Sequence, residues 1–157
     1  MEPATAIHLT PIGHVTRESG IELRLDEPYR AGLSGLGDFG HVVVVWWAGR
    51  YDVPEARQVL TVPLPYADNR EVGVFACRAP VRPNLVMTTV CAIERVDQTR
   101  GVVEVGDIDA FDGTPLLDLK PYHGVTDRVR RLRVPEYVAD WAEWLPESGT
   151  ALMPGEA

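Results

Sequence analysis

The sequence predicts a mainly β fold: a small antiparallel β-barrel with short peripheral helices, including one near the C-terminus. Three observations predict it: short β-branched runs, 14 glycines and 13 prolines spread along 157 residues, and no strand–helix–strand crossover. Without crossovers, a closed or nearly closed barrel is favoured over a doubly wound sheet. The length fits one domain, which we place at residues 1–146, with a loose acidic tail at residues 147–157.

Eight segments have the composition of strands, and turn residues separate them. In chain order they are residues 6–16, 21–25, 41–48, 58–63, 73–77, 85–96, 102–108 and 116–119. Residues 21–25 and 102–105 alternate in polarity, which predicts one buried and one solvated face. Residues 42–47 are apolar throughout, which predicts a central strand covered on both faces.

One convincing helix is predicted over residues 136–145. Pro135 suits its first turn, and four apolar side chains fall on one face, namely Tyr137, Trp141, Trp144 and Leu145. A second, short helix is predicted over residues 28–36. The G-x-G-x-x-G pattern at residues 35–40 precedes a strand instead of following one, so it indicates a turn and not a dinucleotide site.

The charge balance is acidic, with 15 basic and 23 acidic residues giving a formal net charge of −8. Nucleic-acid contact would therefore need a local basic patch, and one cluster exists: Lys120, Arg128, Arg130, Arg131 and Arg133. A surface strand with a charged edge is the alternative interpretation of this cluster.

The chain is expected to be cytoplasmic and to have no membrane contact. The longest apolar run, residues 42–48, is too short to span a bilayer, and the N-terminus lacks the features of a signal peptide. Cys77 and Cys91 form neither a C-x-x-C motif nor a zinc spacing. We predict reduced thiols that face the interior.

Two polar segments are candidates for a ligand site. Arg78 and Arg82 stand four residues apart in a proline-stiffened loop, which favours anion binding over two solvated arginines. Asp107, Asp109 and Asp112 lie close together, and such acids repel one another unless donors or a cation sit nearby. A cationic ligand and a solvated strand edge explain the acids equally well. Their spacing does not fit a calcium loop, so no metal is expected.

Together and in this order, the segments resemble the TsaA/TrmO-like family of S-adenosylmethionine-dependent methyltransferases, which are built on a small β-barrel. The resemblance covers most of the chain up to Tyr122. The matching stretches are residues 11–13, 32–36, 39–41, 73–84 and 109–122. The most specific of them contain Arg82-Pro83-Asn84 and Asp112-Gly113-Thr114-Pro115.

The resemblance implies S-adenosylmethionine as cofactor, a homodimer, and methylation of the exocyclic nitrogen of threonylcarbamoyl-adenosine in tRNA. It implies six cofactor contacts: Arg78, Thr88, Gly106, Asp107, Ile108 and Asp109. It also implies site roles for Arg82, Asn84 and Lys120, which we assign to the substrate, and for Asp112 and Tyr122. Because a ureido-like nitrogen is a poor nucleophile, Asp112 and Tyr122 are the candidate catalytic residues.

Three hypotheses remain open from the sequence. The first is a tRNA methyltransferase; the second is a methyltransferase with the same cofactor and a small-molecule acceptor, which an acidic surface would suit. The third is a barrel that binds the ligand but no longer transfers a methyl group. It rests on Leu85, Val86 and Met87, which stand where the family usually has proline, isoleucine and glycine.

Overall fold

The structure, a computed structural model, describes residues 5–150. Its strands are β1 (Gly13–Thr16), β2 (Glu22–Leu25), β3 (His41–Trp47), β4 (Thr61–Leu64), β5 (Arg70–Gly73), β6 (Val86–Asp97), β7 (Val102–Val105) and β8 (Pro115–Pro121). Its short α-helices are α1 (Pro54–Arg57) and α2 (Gly124–Asp127). Single 3₁₀ segments span Glu27–Leu33, Leu36–Asp38, Gly49–Tyr51, Pro65–Ala67, Val74–Ala76 and Glu136–Val138.

Six of these strands close into a barrel in the order β1-β2-β7-β6-β3-β8, and every neighbouring pair is antiparallel. This confirms the predicted fold class. β4 and β5 form a separate hairpin outside the barrel. The division into residues 1–146 and a tail stays a prediction, and residues 151–157 of that tail lie outside the described part of the chain.

The barrel interior is filled by alternate side chains of each strand. Val15, Leu23, Val44, Val103 and Leu116 are fully buried there. β1 approaches β2 closely at Gly13, where an added Cβ would lie 1.9 Å from the carbonyl oxygen of Arg24. Glycine is therefore required at this point, and it holds the end of β1 against the barrel.

β3 occupies the central position that the sequence predicts, since it pairs with β6 along one edge and β8 along the other. Val42, Val44 and Trp46 point into the barrel, whereas Val43 and Val45 are half-buried on the outer face. The expectation of full cover on both faces was wrong, because the outer face of a barrel strand has no second layer above it here.

The predicted strand at residues 73–77 is wrong. β5 ends at Gly73, and the chain turns through the 3₁₀ segment Val74–Ala76. Arg82 explains this turn, because its guanidinium donates to the carbonyl oxygens of Val74 (2.8 Å), Ala79 (3.2 Å) and Cys77 (3.4 Å). These carbonyls are bound by a side chain and are not available to a strand neighbour.

The C-terminal helix over residues 136–145 is also wrong in extent. One 3₁₀ turn forms at Glu136–Val138, and turns and bends follow it. Short helices are marginal in water unless their apolar face packs on a core. Trp144 and Leu145 remain 67% and 41% exposed, so that packing does not occur within residues 5–150. The short helix predicted at residues 28–36 is a 3₁₀ segment, Glu27–Leu33.

Candidate functional site

A cavity of about 450 Å³ opens at one end of the barrel, where β3 ends and β6 and β8 begin. We call it the mouth cavity. Its walls come from the segment after β3, the proline-rich loop before β6, and the loop at residues 106–114 that joins β7 to β8. The polar residues on these walls include Arg50, Arg78, Asp109, Asp112 and Thr114. The structure therefore brings the two candidate polar segments of the sequence to one cavity.

Arg17 fastens the β7–β8 loop to the end of β1. Its backbone N–H donates to Oδ1 of Asp112 at 2.8 Å, and its Nε donates to the carbonyl oxygen of Ala110 at 3.0 Å. Its Nη2 also donates to the carbonyl oxygen of Ile108. The backbone N–H of Gly113 donates to the carbonyl oxygen of Val15 at 2.8 Å. These bonds hold the acidic loop in one conformation, so Arg17 is a positioning residue that our sequence reasoning missed.

Asp109 is held by a buried polar chain that begins inside the barrel. Nε1 of Trp46 donates to Oγ1 of Thr89 at 3.0 Å, and that hydroxyl donates to Oδ1 of Asp109. Trp46 is 6% exposed and Thr89 is 5% exposed. Hydrogen bonds shielded from water in this way are strong and directional. Asp109 therefore presents its carboxylate to the cavity in a fixed orientation.

The two arginines of the proline-rich loop have different roles. Arg78 lies on the wall of the mouth cavity, is exposed, and within residues 5–150 has neither a hydrogen-bond nor an ion-pair partner. Arg82 is half-buried and is engaged with the carbonyl oxygens of its own loop, so it shapes the loop. Of these two arginines, Arg78 is thus the one whose guanidinium is available for an anion, and the substrate role of Arg82 stays a prediction.

Asp52 anchors the segment after β3, next to the residues of that segment that line the cavity. Its Oδ2 accepts a hydrogen bond from Nε1 of Trp47 at 3.2 Å, and its Oδ1 accepts one from Nε of Arg57 at 2.7 Å. The Arg57 hydrogen bond is the main cause that lowers the pKa of Asp52. Further along the rim, the guanidinium of Arg50 lies 3.7 Å from the ring centroid of Phe111, a cation–π contact.

Thr88 lies on the outer face of β6, exposed to solvent and away from the mouth cavity. Its neighbour Thr89 points inward and contacts Asp109. Since successive side chains of a strand point to opposite faces, an offset of one residue changes the side of the barrel. Ile108 is fully buried in the core and offers only its carbonyl oxygen, to Arg17.

Gly106 and Asp107 line a different hollow of about 380 Å³, together with residues of β3 and β6 and of the segment around Gly149. The inner oxygen Oδ2 of Asp107 is buried without a hydrogen-bond partner among residues 5–150. Asn84 is exposed and is not among the residues that line the mouth cavity. These three predicted residues are therefore not brought together with Arg78.

Lys120 and Tyr122 lie toward the other end of the barrel. Lys120 pairs with Val43 across the β3–β8 ladder and forms an exposed ion pair of 2.5 Å with Asp118. The amide of Tyr122 donates to the carbonyl of His41 at 3.1 Å. Trp46, at the cavity, is five positions along β3 from His41, which is roughly 17 Å of strand. Tyr122 thus lies toward the opposite end of the barrel from the mouth cavity of its own chain, and its catalytic role stays a prediction.

Both cysteines are free, as the sequence predicts, but they lie in unlike surroundings. Cys91 is buried inside the barrel, and burial, together with the charges of Asp109 and Asp107, raises the pKa of its thiol to about 12. It is therefore a packing residue and not a nucleophile. Cys77 is half-buried in the proline-rich loop.

Beyond the barrel, residues 128–133 form an exposed segment that contains Arg128, Arg130, Arg131 and Arg133. We call it the arginine strap. Its apolar members Val129 and Leu132 are 72% and 65% exposed.

Within residues 5–150, no cluster of three or more His, Cys, Asp or Glu side chains is arranged to hold a metal ion. In the same range, no helix has the length and apolar character needed to cross a membrane.

Comparison with known proteins gives consistent matches. The model of the family described as tRNA-methyltransferase O N-terminal domain matches residues 6–128. A probable S-adenosyl-L-methionine-binding protein of Halobacterium salinarum is 37% identical over 130 residues, covering 73% of this chain and 98% of the relative. Another, of Archaeoglobus fulgidus, is 34% identical over 122 residues, which is 78% of this chain but only 31% of the relative.

Among solved structures, a crystal structure of TrmO from P. aeruginosa superposes with a TM-score of 0.66 at 25% identity. The match covers 87% of this chain and 63% of that one. A second TrmO structure gives a TM-score of 0.65 and covers 83% of this chain and 62% of that one. This chain thus spans less than two thirds of the TrmO chains that it matches.

Proposed function

Because the chain belongs to the tRNA-methyltransferase O N-terminal domain family, we propose that it is an S-adenosylmethionine-dependent N-methyltransferase whose cofactor site is the mouth cavity. The observation that carries the proposal is the position of Arg78, Asp109 and Asp112 on the walls of one cavity. The Halobacterium and Archaeoglobus relatives are named as probable S-adenosyl-L-methionine-binding proteins, which supports the same cofactor here.

The residues of the mouth cavity fit the charges of this cofactor, which supplies a methyl group already activated on a sulfonium. Its amino-acid part carries one carboxylate and one ammonium group. Arg78 offers a planar guanidinium for the carboxylate, and Asp109 offers a fixed carboxylate for a cationic group. A cavity of about 450 Å³ is within the range of small-molecule sites. The main task of the chain is to orient the reactants, which is worth roughly 7–11 kcal/mol of barrier.

We assign the acceptor as an exocyclic nitrogen, with N6 of threonylcarbamoyl-adenosine in tRNA as the leading choice. The nitrogen must lose a proton as its bond to the methyl carbon forms and the carbon–sulfur bond breaks. Asp112 is the residue we propose to accept that proton, because it lies on the cavity wall and Arg17 holds its Oδ1. Tyr122 stays the second catalytic candidate, although within one chain it lies toward the other end of β3 from the mouth cavity.

The arginine strap supports a tRNA acceptor, because its four arginines are exposed on a chain of net charge −8. The overall negative charge favours the second candidate, a small-molecule acceptor with the same cofactor.

We also propose that the chain forms a homodimer in the cytoplasm. The half-buried apolar face of Val43, Val45 and Trp47 on β3, beside Val86 at 37% exposure, supports self-association.

The decisive test of the acceptor is mass spectrometry of tRNA nucleosides from cells with and without the gene. The proposal predicts a methylated threonylcarbamoyl-adenosine that disappears with the gene and returns with the wild-type chain. It should not return with Asp112→Asn, whereas the control Asp97→Asn, at the last residue of β6, should restore it. An unchanged nucleoside profile in a strain whose purified protein binds the cofactor would favour a small-molecule acceptor or a barrel without transfer activity.

A further inference from the structure

A second cavity, of about 690 Å³, lies between the β4–β5 hairpin and the segment at residues 135–141. We call it the aromatic groove. Three aromatic side chains line it, Tyr66 from the hairpin loop and Tyr137 and Trp141 from the C-terminal segment. Pro63 and Pro135 add rigid apolar surface. These three rings belong neither to the buried core of the barrel nor to the walls of the mouth cavity.

The rings hold one another in place while leaving much of their surface open. Tyr66 and Trp141 meet edge to face with centroids 5.0 Å apart, and Tyr66 and Tyr137 lie 6.5 Å apart. The guanidinium of Arg70 stands 5.5 Å from the Tyr137 centroid. Nevertheless Tyr66 is 49% exposed and Trp141 is 58% exposed. Ordered aromatic faces that remain open to solvent suit stacking of a planar ligand.

The aromatic groove adjoins the mouth cavity through Arg78, which lines both. A ligand in the groove would therefore lie one side chain away from a cofactor in the mouth cavity. Desolvation, with smaller effects from Cys77 and Tyr137, raises the pKa of Tyr66. Its hydroxyl stays protonated at neutral pH and can donate a hydrogen bond to a ring nitrogen or a carbonyl oxygen.

We propose that the aromatic groove binds the planar heteroaromatic ring of the methyl acceptor, a ring of nucleobase size, by stacking on Trp141 and Tyr66. This inference rests on the proposed function and adds the site that presents the acceptor to the mouth cavity. Stacking on aromatic side chains depends little on which base is bound, since every base has a π-face. The arginine strap begins only seven residues before Pro135, so a polynucleotide in the groove would pass close to it.

The test compares two exposed tryptophans of the same segment. Trp141 lines the groove, whereas Trp144, 67% exposed, does not, so Trp144→Ala is a matched control for Trp141→Ala. The probe is the nucleoside N6-threonylcarbamoyladenosine, titrated into the full chain with and without saturating S-adenosylhomocysteine. Trp141→Ala should weaken nucleoside binding about tenfold or more, while Trp141→Phe keeps most of the affinity. Trp144→Ala should leave it unchanged, and S-adenosylmethionine affinity should be the same in all variants.

Equal losses in Trp141→Ala and Trp144→Ala would overturn the proposal, as would a wild-type chain that binds the cofactor but not the nucleoside. Weakened cofactor binding in Trp141→Ala, with unchanged nucleoside binding, would overturn it in favour of the cofactor's own ring. Failure of the proposed function gives a different result from failure of this inference, because the cofactor would then not bind at all. Nucleoside binding that depends on Trp141 would still support the groove in that case. Circular dichroism melting of each variant checks that the fold is intact.

Discussion

The mouth of the barrel and the C-terminal segment are built in opposite ways. Polar bonds at the mouth join residues far apart in sequence, since 95 residues separate Arg17 from Asp112 and 43 separate Trp46 from Thr89. From His123 onward, by contrast, nearly every described residue is exposed, including Trp141 and the arginine strap. A site for one small cofactor gains affinity from preorganisation, whereas recognition of a larger acceptor can use an open surface.

The largest difference between the two regions should appear in stability. Replacing Trp46 by alanine removes a buried ring and the donor to Thr89, and should lower the free energy of unfolding by about 3–5 kcal/mol. Trp144→Ala, at a side chain 67% exposed, should change it by about 0.5 kcal/mol or less. Urea denaturation monitored by circular dichroism measures both values. Similar losses would show that the C-terminal segment is part of the cooperative core.

The second prediction concerns the polar chain that holds Asp109. Thr89→Val keeps the shape of the side chain but leaves Nε1 of Trp46 and the Asp109 carboxylate without their shared partner. It should cost about 1–3 kcal/mol of stability and weaken binding of S-adenosylmethionine. Thr89→Ser retains the hydroxyl and should lose less of both. The matched control is Thr88→Val on the outer face of the same strand, where no effect on cofactor affinity is expected.

The third prediction separates the arginine strap from the mouth cavity. Neutralising Arg130 and Arg131 together should lower the slope of log affinity for tRNA against log salt by roughly 2, because two phosphate contacts are lost. The affinity for S-adenosylmethionine should not change, since neither arginine lines the mouth cavity. Filter-binding at several salt concentrations gives the slope. A slope equal to that of the wild type would remove the strap from the tRNA interface.

The fourth prediction concerns the pH dependence of stability that the buried thiol causes. Cys91 has a pKa of about 12 in the fold against a reference value of 9.0, so the unfolded chain loses its thiol proton first. Stability should therefore fall as the pH rises from about 9 toward 12, and Cys91→Ala should reduce that fall. At pH 8 a thiol reagent should modify Cys77 first and Cys91 only after unfolding. Rapid modification of both would contradict the burial of Cys91.

Local sequence patterns predicted part of this molecule and missed the rest for identifiable reasons. The barrel was predicted from the β-branched runs, the turn residues and the lack of crossovers, and Arg78, Asp109 and Asp112 were singled out within two polar segments. Arg17 could not be found, because its partners lie more than 90 residues away and nothing local distinguishes it from a solvated turn arginine. The faces on which Thr88 and Thr89 lie depend on strand register, which pairing with β3 sets.

In the C-terminal segment the sequence pattern predicted more regular structure than the chain forms. Its apolar spacing matches a helix, yet the structure forms one turn and directs Trp141 onto Tyr66 of the hairpin. Periodicity reports which side chains can share a face, but it does not say whether a surface exists to receive that face. In this chain the receiving surface is a loop from another part of the sequence, and it holds the rings without a helix.

The most direct test of the account is calorimetric titration of S-adenosylmethionine into the wild-type chain, Arg78→Ala and the control Arg100→Ala, an exposed arginine of the β6–β7 turn. Wild type and Arg100→Ala should bind with the same affinity. Arg78→Ala should bind more weakly by about 1–3 kcal/mol, as expected for a lost charged hydrogen bond. Absence of binding heat to the wild type at millimolar cofactor, or equal affinity in Arg78→Ala, would contradict a cofactor site at the mouth of the barrel.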